Sequence, residues 1–163
     1  KNLADWPKGV DGNKGIDPAW VETRADVING IVKTMRDEVR KHPGVELSAA
    51  VFDPPATTKV LLGQDWPRWV REGWVDFVCP MSYTQDESLY RRYVRSVLGE
   101  AGASRCYPGL GVSASSCPQR GNDAQVLSME LSVLKSEGAH GFALFDFNSR
   151  TMKAVEEAIV RIP

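Results

Sequence analysis

Four short apolar segments recur along this chain at nearly even spacing: Val45–Phe52, Val75–Tyr83, Arg105–Val112 and Gly141–Phe147. Each ends in a loop rich in Asp, Pro, Gly, Ser or Tyr. The first three begin 30 residues apart and the fourth 36 residues later, and a helical pattern follows each. That is the rhythm of βα units feeding a parallel sheet. The strings LSAAV, FVC and FALF are apolar throughout instead of alternating, as strands buried on both faces must be. In an open sheet the second face would be covered by helices; in a barrel it would face interior layers formed with further strands.

Length decides how much of such a fold is present. The chain has 163 residues, enough for one domain, whereas a complete (β/α)₈ barrel takes roughly 250. The expected architecture is therefore α/β and half of a barrel, with residues 1–163 forming a single partial domain. A formal net charge of −1 from interspersed acids and bases argues against a nucleic-acid partner or an acidic membrane surface. No apolar run approaches the roughly 20 residues of a membrane span, and the opening KNLADWPKGV lacks the apolar core of a signal peptide. Three cysteines without a CxxC pair indicate neither a zinc site nor a disulfide framework. Cys79 and Cys106 fall inside strand patterns as small core residues, and Cys117 lies in the polar loop SASSCPQRG.

The first seventeen residues read as an irregular loop ending at Asp17-Pro18, where Asp17 can cap a helix and Pro18 occupies its first turn. The stripe Trp20, Val27, Ile31 and Met35, flanked by Val21, Ile28, Val32 and Val39, then predicts a long amphipathic helix to His42. Helices are expected from about Asp65 to Glu72, from a Thr84–Glu87 capping box to about Gly99, from Asn122 to about Glu137, and after Asn148 or Ser149. The stretch DPPATTKVLLGQ reads as a loop.

Parallel α/β folds bind ligands at the carboxyl ends of their strands, where the βα loops and helix N-termini converge. Asp53, Ser82, Tyr83, Thr84, Gln85, Asp86, Ser113, Asp146 and Asn148 fall at that end. Both histidines, His42 and His140, fall at the other, which argues against His-based nucleophilic catalysis and a His-ligated metal. Gly109-Leu-Gly111 reads as close backbone approach at a strand end in preference to a phosphate loop. Carboxylates and aromatics remain. Asp53 shares parity with Leu47, Ala49 and Val51, and Asp146 with Phe142, Leu144 and Asn148, so each stands at the end of one strand face. Two acids at such a mouth can act as general acid and base, or as nucleophile, on a glycosidic bond. The structural alternatives are that Asp53 caps the turn into Pro54-Pro55 and that Asp146 is a buried, hydrogen-bonded acid. Tyr83 can stack on a sugar face or donate a hydrogen bond, and Trp66 can form a sugar platform, with Asn148, Thr84 and Asp86 as further substrate contacts. Trp69 and Trp74 are expected in helix–sheet packing.

Taken together, LSAAVF, GQDWPRWVREGWVDFVCPMSYT, YPGLGV and GAHGFALFDFN resemble the carboxyl-terminal half of the glycosyl hydrolase-like 10 family, bacterial TIM-barrel proteins related to peptidoglycan-cleaving envelope glycosidases. The similarity runs from about Asp5-Trp6-Pro7 to Phe147 and makes the four strands barrel strands five to eight. It implies carbohydrate hydrolysis by carboxylate chemistry, a carbohydrate substrate, a periplasmic or extracellular setting, no organic cofactor, and an N-terminal half-barrel as the missing partner. It also implies an acidic strand-four motif, an Asp-Tyr-x-Arg type sequence, lying before Lys1. Where the large retaining glycosidase clan carries a strand-seven Glu, this chain reads Pro108-Gly-Leu-Gly-Val-Ser, so that mechanism is not implied. A non-catalytic carbohydrate-binding barrel and a self-contained small α/β ligand-binding domain are the alternatives.

Overall fold

The computed structural model describes residues 10–11, 15–112, 124–146 and 152–161. A small antiparallel pair, β1 (Val10–Asp11) with β2 (Gly15–Ile16), stands where the sequence suggested only an irregular loop. Helix α1 (Pro18–Val39) starts as expected: the Asp17 carboxylate accepts the Ala19 N–H at 2.9 Å, and Pro18 opens the helix.

The buried face of α1 is not the one its large apolar residues suggest. Val21, Ala25, Asn29 and Val32 are buried, whereas Val27, Ile31 and Met35 are exposed. Helix α2 (Pro55–Leu62) and helix α3 (Trp66–Arg71) account for the difference. The Arg24 guanidinium donates to the carbonyls of Val60 and Leu61 at the end of α2, and the Trp69 indole donates to Asn29 Oδ1 at 2.6 Å. A polar residue is drawn inward by a hydrogen bond, which an apolar period cannot register. Helix α2 itself corrects the loop reading of DPPATTKVLLGQ. Pro55 stands in its first turn, and Gly63, at φ 72°, ends it against the Arg24 carbonyl, where an added Cβ would come within 3.1 Å.

Four short parallel strands follow one another in chain order among the described residues. They are β3 (Ser48–Val51), β4 (Phe77–Pro80), β5 (Gly109–Gly111) and β6 (Ala143–Phe145). β3 pairs with β4, and β5 with β6; a parallel bridge between Val78 and Cys106, with the Tyr107 N–H on the Val78 carbonyl at 2.9 Å, joins the two pairs. Each strand is shorter than its apolar segment. Helices α4 (Glu87–Ala101), α5 (Ala124–Ser136) and α6 (Met152–Val160) complete the succession, and the cap residues expected ahead of α5 and α6 lie outside the described residues. The chain is thus an α/β structure with short parallel strands.

Helices cover one face of these strands. Val51, Val78 and Cys106 are buried with Val32, Trp66, Trp69, Val70 and Val97, while Leu110 is buried with Tyr90, Val94, Leu127, Leu131 and Val155. The alternate residues face the other way. Ala50, Phe52 and Phe145 are exposed there, and Phe77, Cys79 and Tyr107 are only partly covered, with Phe77 and Tyr107 meeting edge to face at 5.2 Å between ring centres. Among the described residues, nothing lies over Ala50 and Phe52 to bury them, and Phe145 stays more than half exposed.

One clamp closes the end of the sheet opposite the expected ligand side. Asp76 accepts the Leu47 N–H at 2.7 Å and Arg36 Nη1 at 3.1 and 3.3 Å, so a single carboxylate joins α1 to the entries of β3 and β4. Asp76→Ala should cost about 2–3 kcal/mol in urea unfolding, because it leaves Arg36 and the Leu47 N–H without this acceptor. Asp76→Asn, which can still accept from Leu47, should cost less.

Candidate functional site

The carboxyl ends of the strands carry two groups of side chains, divided by the face of the sheet that each occupies. On the helix-covered side, Asp53 follows β3 with the parity of Val51, and Ser82 follows β4 with the parity of Val78 and Pro80. Ser82 is fully buried, and its hydroxyl donates to Asp53 Oδ2 across the ends of the two strands. The other carboxylate oxygen, Oδ1, is sealed from solvent without a hydrogen-bond partner. Burial pushes the Asp53 carboxyl up to about 6, against the opposing effect of the Ser82 hydroxyl. Asp53 therefore sits beneath the mouth and joins two strand ends, where the sequence expected a catalytic acid; the peptide from Asp53 to Pro54 is cis.

Two further buried groups feel this carboxylate. The Tyr90 hydroxyl of α4 is buried without a partner, and its phenol is pushed well up by burial first and then by the charges of Glu130 and Asp53. The Cys106 thiol is pushed up to about 12 by burial, with Asp53 and Cys79 adding to it. Glu130, in the middle of α5, is completely buried as well. The sequence gives Ser82 as one of several polar residues at a strand end and gives no sign of Tyr90, which looks like an ordinary helix position. A Glu among the apolar residues of α5, at MELSVL, is the one cue that was there to be read.

The second group lies on the open face. Tyr83 stacks against Phe145, with ring centres 6.2 Å apart and planes at 23°. It lies so close to β5 that a Cβ at Gly109 would meet the Tyr83 ring at 3.0 Å and the Pro80 carbonyl at 2.8 Å. The expected role of Gly109 in close backbone approach is what the structure shows. Asp146 follows Phe145 directly through a cis peptide and is half-buried. The strand ends thus bring Tyr83 and Phe145 together on the open face, with Asp146 next to Phe145 along the chain, and Phe145 is a contact that the sequence did not single out.

Other expected contacts are used elsewhere. Trp66 is completely buried at the start of α3 and donates its indole N–H to the Phe52 carbonyl at 3.2 Å, so it is a core residue and not a sugar platform. Trp69 is buried as expected, and Trp74 is half-buried against Lys33 and Arg68. Asp86 caps α4, accepting the Leu89 N–H and the Ser88 hydroxyl at 2.8 Å each, which holds its carboxyl below the usual carboxylate range. Thr84 accepts the Asp86 N–H at 3.2 Å, and Glu87 pairs with Arg91 at 2.9 Å, so the helix begins two residues beyond the expected cap. Asn148, Ser113 and Cys117 lie outside the described residues. His42 and His140 are exposed and precede β3 and β6, at the opposite end from the aspartates. Among the described residues, no group of three or more His, Cys, Asp or Glu could hold a metal ion, and no helix is long and apolar enough to cross a membrane.

Three outcomes test this geometry. Because the folded carboxyl of Asp53 holds its proton up to about 6, above its ordinary 3.8, its contribution to stability falls as pH rises through that interval and the burial cost is complete above it. The stability of Asp53→Asn relative to the parent, followed by thermal melts, should therefore improve by about 2–3 kcal/mol between roughly pH 4 and pH 8. A gain that does not vary with pH would contradict the buried acid. Gly109→Ala should cost about 1–3 kcal/mol, because the Pro80 carbonyl cannot move aside. Gly30→Ala, in the middle of α1 with open space around it, should gain about 0.5–1 kcal/mol in the same denaturation assay.

Comparison with known proteins adds no relative to this geometry: no protein-family model matches the chain, and no curated protein matches it.

Proposed function

We propose that the chain is the carboxyl-terminal half of a (β/α)₈ glycoside hydrolase-like barrel, with β3 to β6 as strands five to eight. The whole protein would act on a bacterial cell-wall or other polysaccharide in the periplasm or outside the cell. The observation that carries this reading is the Tyr83–Phe145 stack on the open face, at the carboxyl ends of the strands and one residue from Asp146. The flat apolar face of a pyranose ring lies well on such aromatic rings, and a strand-end carboxylate beside them can exchange a proton with a glycosidic oxygen. The apolar open face supports the barrel, since a parallel sheet is ordinarily covered on both sides. It disfavours a self-contained small domain for the same reason.

In this reading Asp146 is the carboxylate that this half supplies to the sugar, and a second comes from the other half of the barrel. Asp53, largely buried below the mouth, supports the strand ends. Retention or inversion would follow from the separation of the two acting carboxyl groups, about 5 Å for the first and about 6.5–9.5 Å for the second. The burial of Asp53 also favours a second reading, a barrel that binds carbohydrate without cleaving it, because one of the two expected acids is then withdrawn from the ligand.

The test is reducing-end release from purified peptidoglycan and from soluble β-1,4-linked oligosaccharides by the full-length protein. Asp146→Asn should lower turnover by about 10²–10⁴-fold while leaving oligosaccharide binding within a few-fold. Tyr83→Ala should weaken binding by about tenfold or more. A parent protein that binds but never cleaves, with Tyr83→Ala still losing affinity, would establish the non-catalytic reading. No binding by either would end both.

A further inference from the structure

Asp53 and Tyr83 lie on opposite faces of the sheet, yet one residue connects them. Ser82 precedes Tyr83, is completely buried, and donates a hydrogen bond from its hydroxyl to Asp53 Oδ2. The backbone around it is held as well: the Met81 N–H reaches the Val51 carbonyl at 2.7 Å and the Ser82 N–H the Pro80 carbonyl at 3.0 Å. The chain turns at Met81 so that Ser82 is directed inward to Asp53, while the next residue, Tyr83, lies outward on the side of Gly109 and Phe145. There the ring occupies the slot left by the missing Cβ of Gly109 and stacks on Phe145.

We propose that Ser82 and Asp53 are positioning residues for Tyr83: the hydroxyl–carboxylate link between the ends of β3 and β4 sets where the Tyr83 ring stands against Gly109 and Phe145. The functional meaning of that setting rests on the reading of Tyr83 as a sugar contact, whereas the coupling itself does not. Asp53 is neither a catalytic acid nor an inert cap in this account. Its charge state governs the link, because a carboxylate accepts the Ser82 proton far more strongly than a neutral carboxyl does. The groups that bear on it are Ser82 after β4, the Tyr90 phenol of α4 and the Cys106 thiol ahead of β5, with the Glu130 charge of α5 acting on Tyr90.

The experiment is fluorine NMR of the protein labelled with 3-fluorotyrosine, which gives one resonance for each of the four Tyr of this chain. The Tyr83 resonance is assigned by its loss in Tyr83→Phe. In the parent protein it should shift in a single step with a midpoint at about 6. Asp53→Asn should abolish the step, Ser82→Ala should abolish it and move the resonance toward that of a solvent-exposed fluorotyrosine, and Ser82→Thr should restore both. Persistence of the step in Asp53→Asn, or an unchanged Tyr83 resonance in a folded Ser82→Ala, would overturn the proposal. If Ser82→Ala does not fold, the parent, Asp53→Asn and Ser82→Thr decide it by the step alone. Titration with N-acetylglucosamine tetramer separates this from the proposed function. A sugar that never moves the Tyr83 resonance while the step behaves as stated removes the sugar-cleft reading and leaves the positioning intact. A sugar that moves it while the step survives Asp53→Asn does the reverse.

Discussion

One-sided burial governs this structure. The strands are apolar on both faces, and the helices bury only one of them. Val51, Val78, Cys106 and Leu110 disappear under α1 and α3 to α6, while Phe52 and Phe145 remain exposed on the other side. Much of the hydrophobic stabilisation therefore comes from the helix-facing layer, and the strands project an apolar surface that ordinary parallel sheets do not leave uncovered. The short ladders are consistent with this. Pairing extends over four residues between β3 and β4 and three between β5 and β6, and among the described residues one bridge links the pairs.

The same division arranges the strand ends. Residues that continue the buried parity, Asp53 and Ser82, enter a dry layer in which the carboxyl is forced upward and the hydroxyl becomes its only donor among the described contacts. Residues of the opposite parity, Tyr83 and Phe145, come together on the open face. A carboxylate and an aromatic platform that look equivalent along the chain thus have different environments. One is an acid in a medium that disfavours charge, and the other is an apolar surface of the kind that ligands use.

Local signals survived where they act over a few residues. Asp17-Pro18 capped α1 because an Asx side chain reaches the second amide of its own helix, whatever the rest of the chain does. Gly109 was legible because a glycine at a strand end has few other uses. The misread features involve partners distant in sequence. Asn29 is buried for Trp69, 40 positions away, and Trp66 is buried for the Phe52 carbonyl and the α3–sheet contact. The start of α4 moved from Thr84 to Asp86, since both residues can cap and only the approach of the loop from β4 selects between them. In the candidate site, Asp53, Tyr83 and Asp146 were visible as strand-end residues, whereas Phe145 and Tyr90 were not, because nothing in an apolar strand or a helix interior marks which residues will meet another element.

The sequence by itself determined the succession of strands and helices, the parallel rhythm, and the end of the strands at which polar and aromatic residues gather, because periodicity, caps and turn residues act through neighbouring peptide units. Only the tertiary structure decided which face each strand-end residue occupies, which stripe of α1 is buried, and that Asp53 is a largely buried acid bound to Ser82. Those outcomes depend on side-chain packing and desolvation between elements about 30 to 40 residues apart, and no local pattern encodes the medium that a side chain will find there.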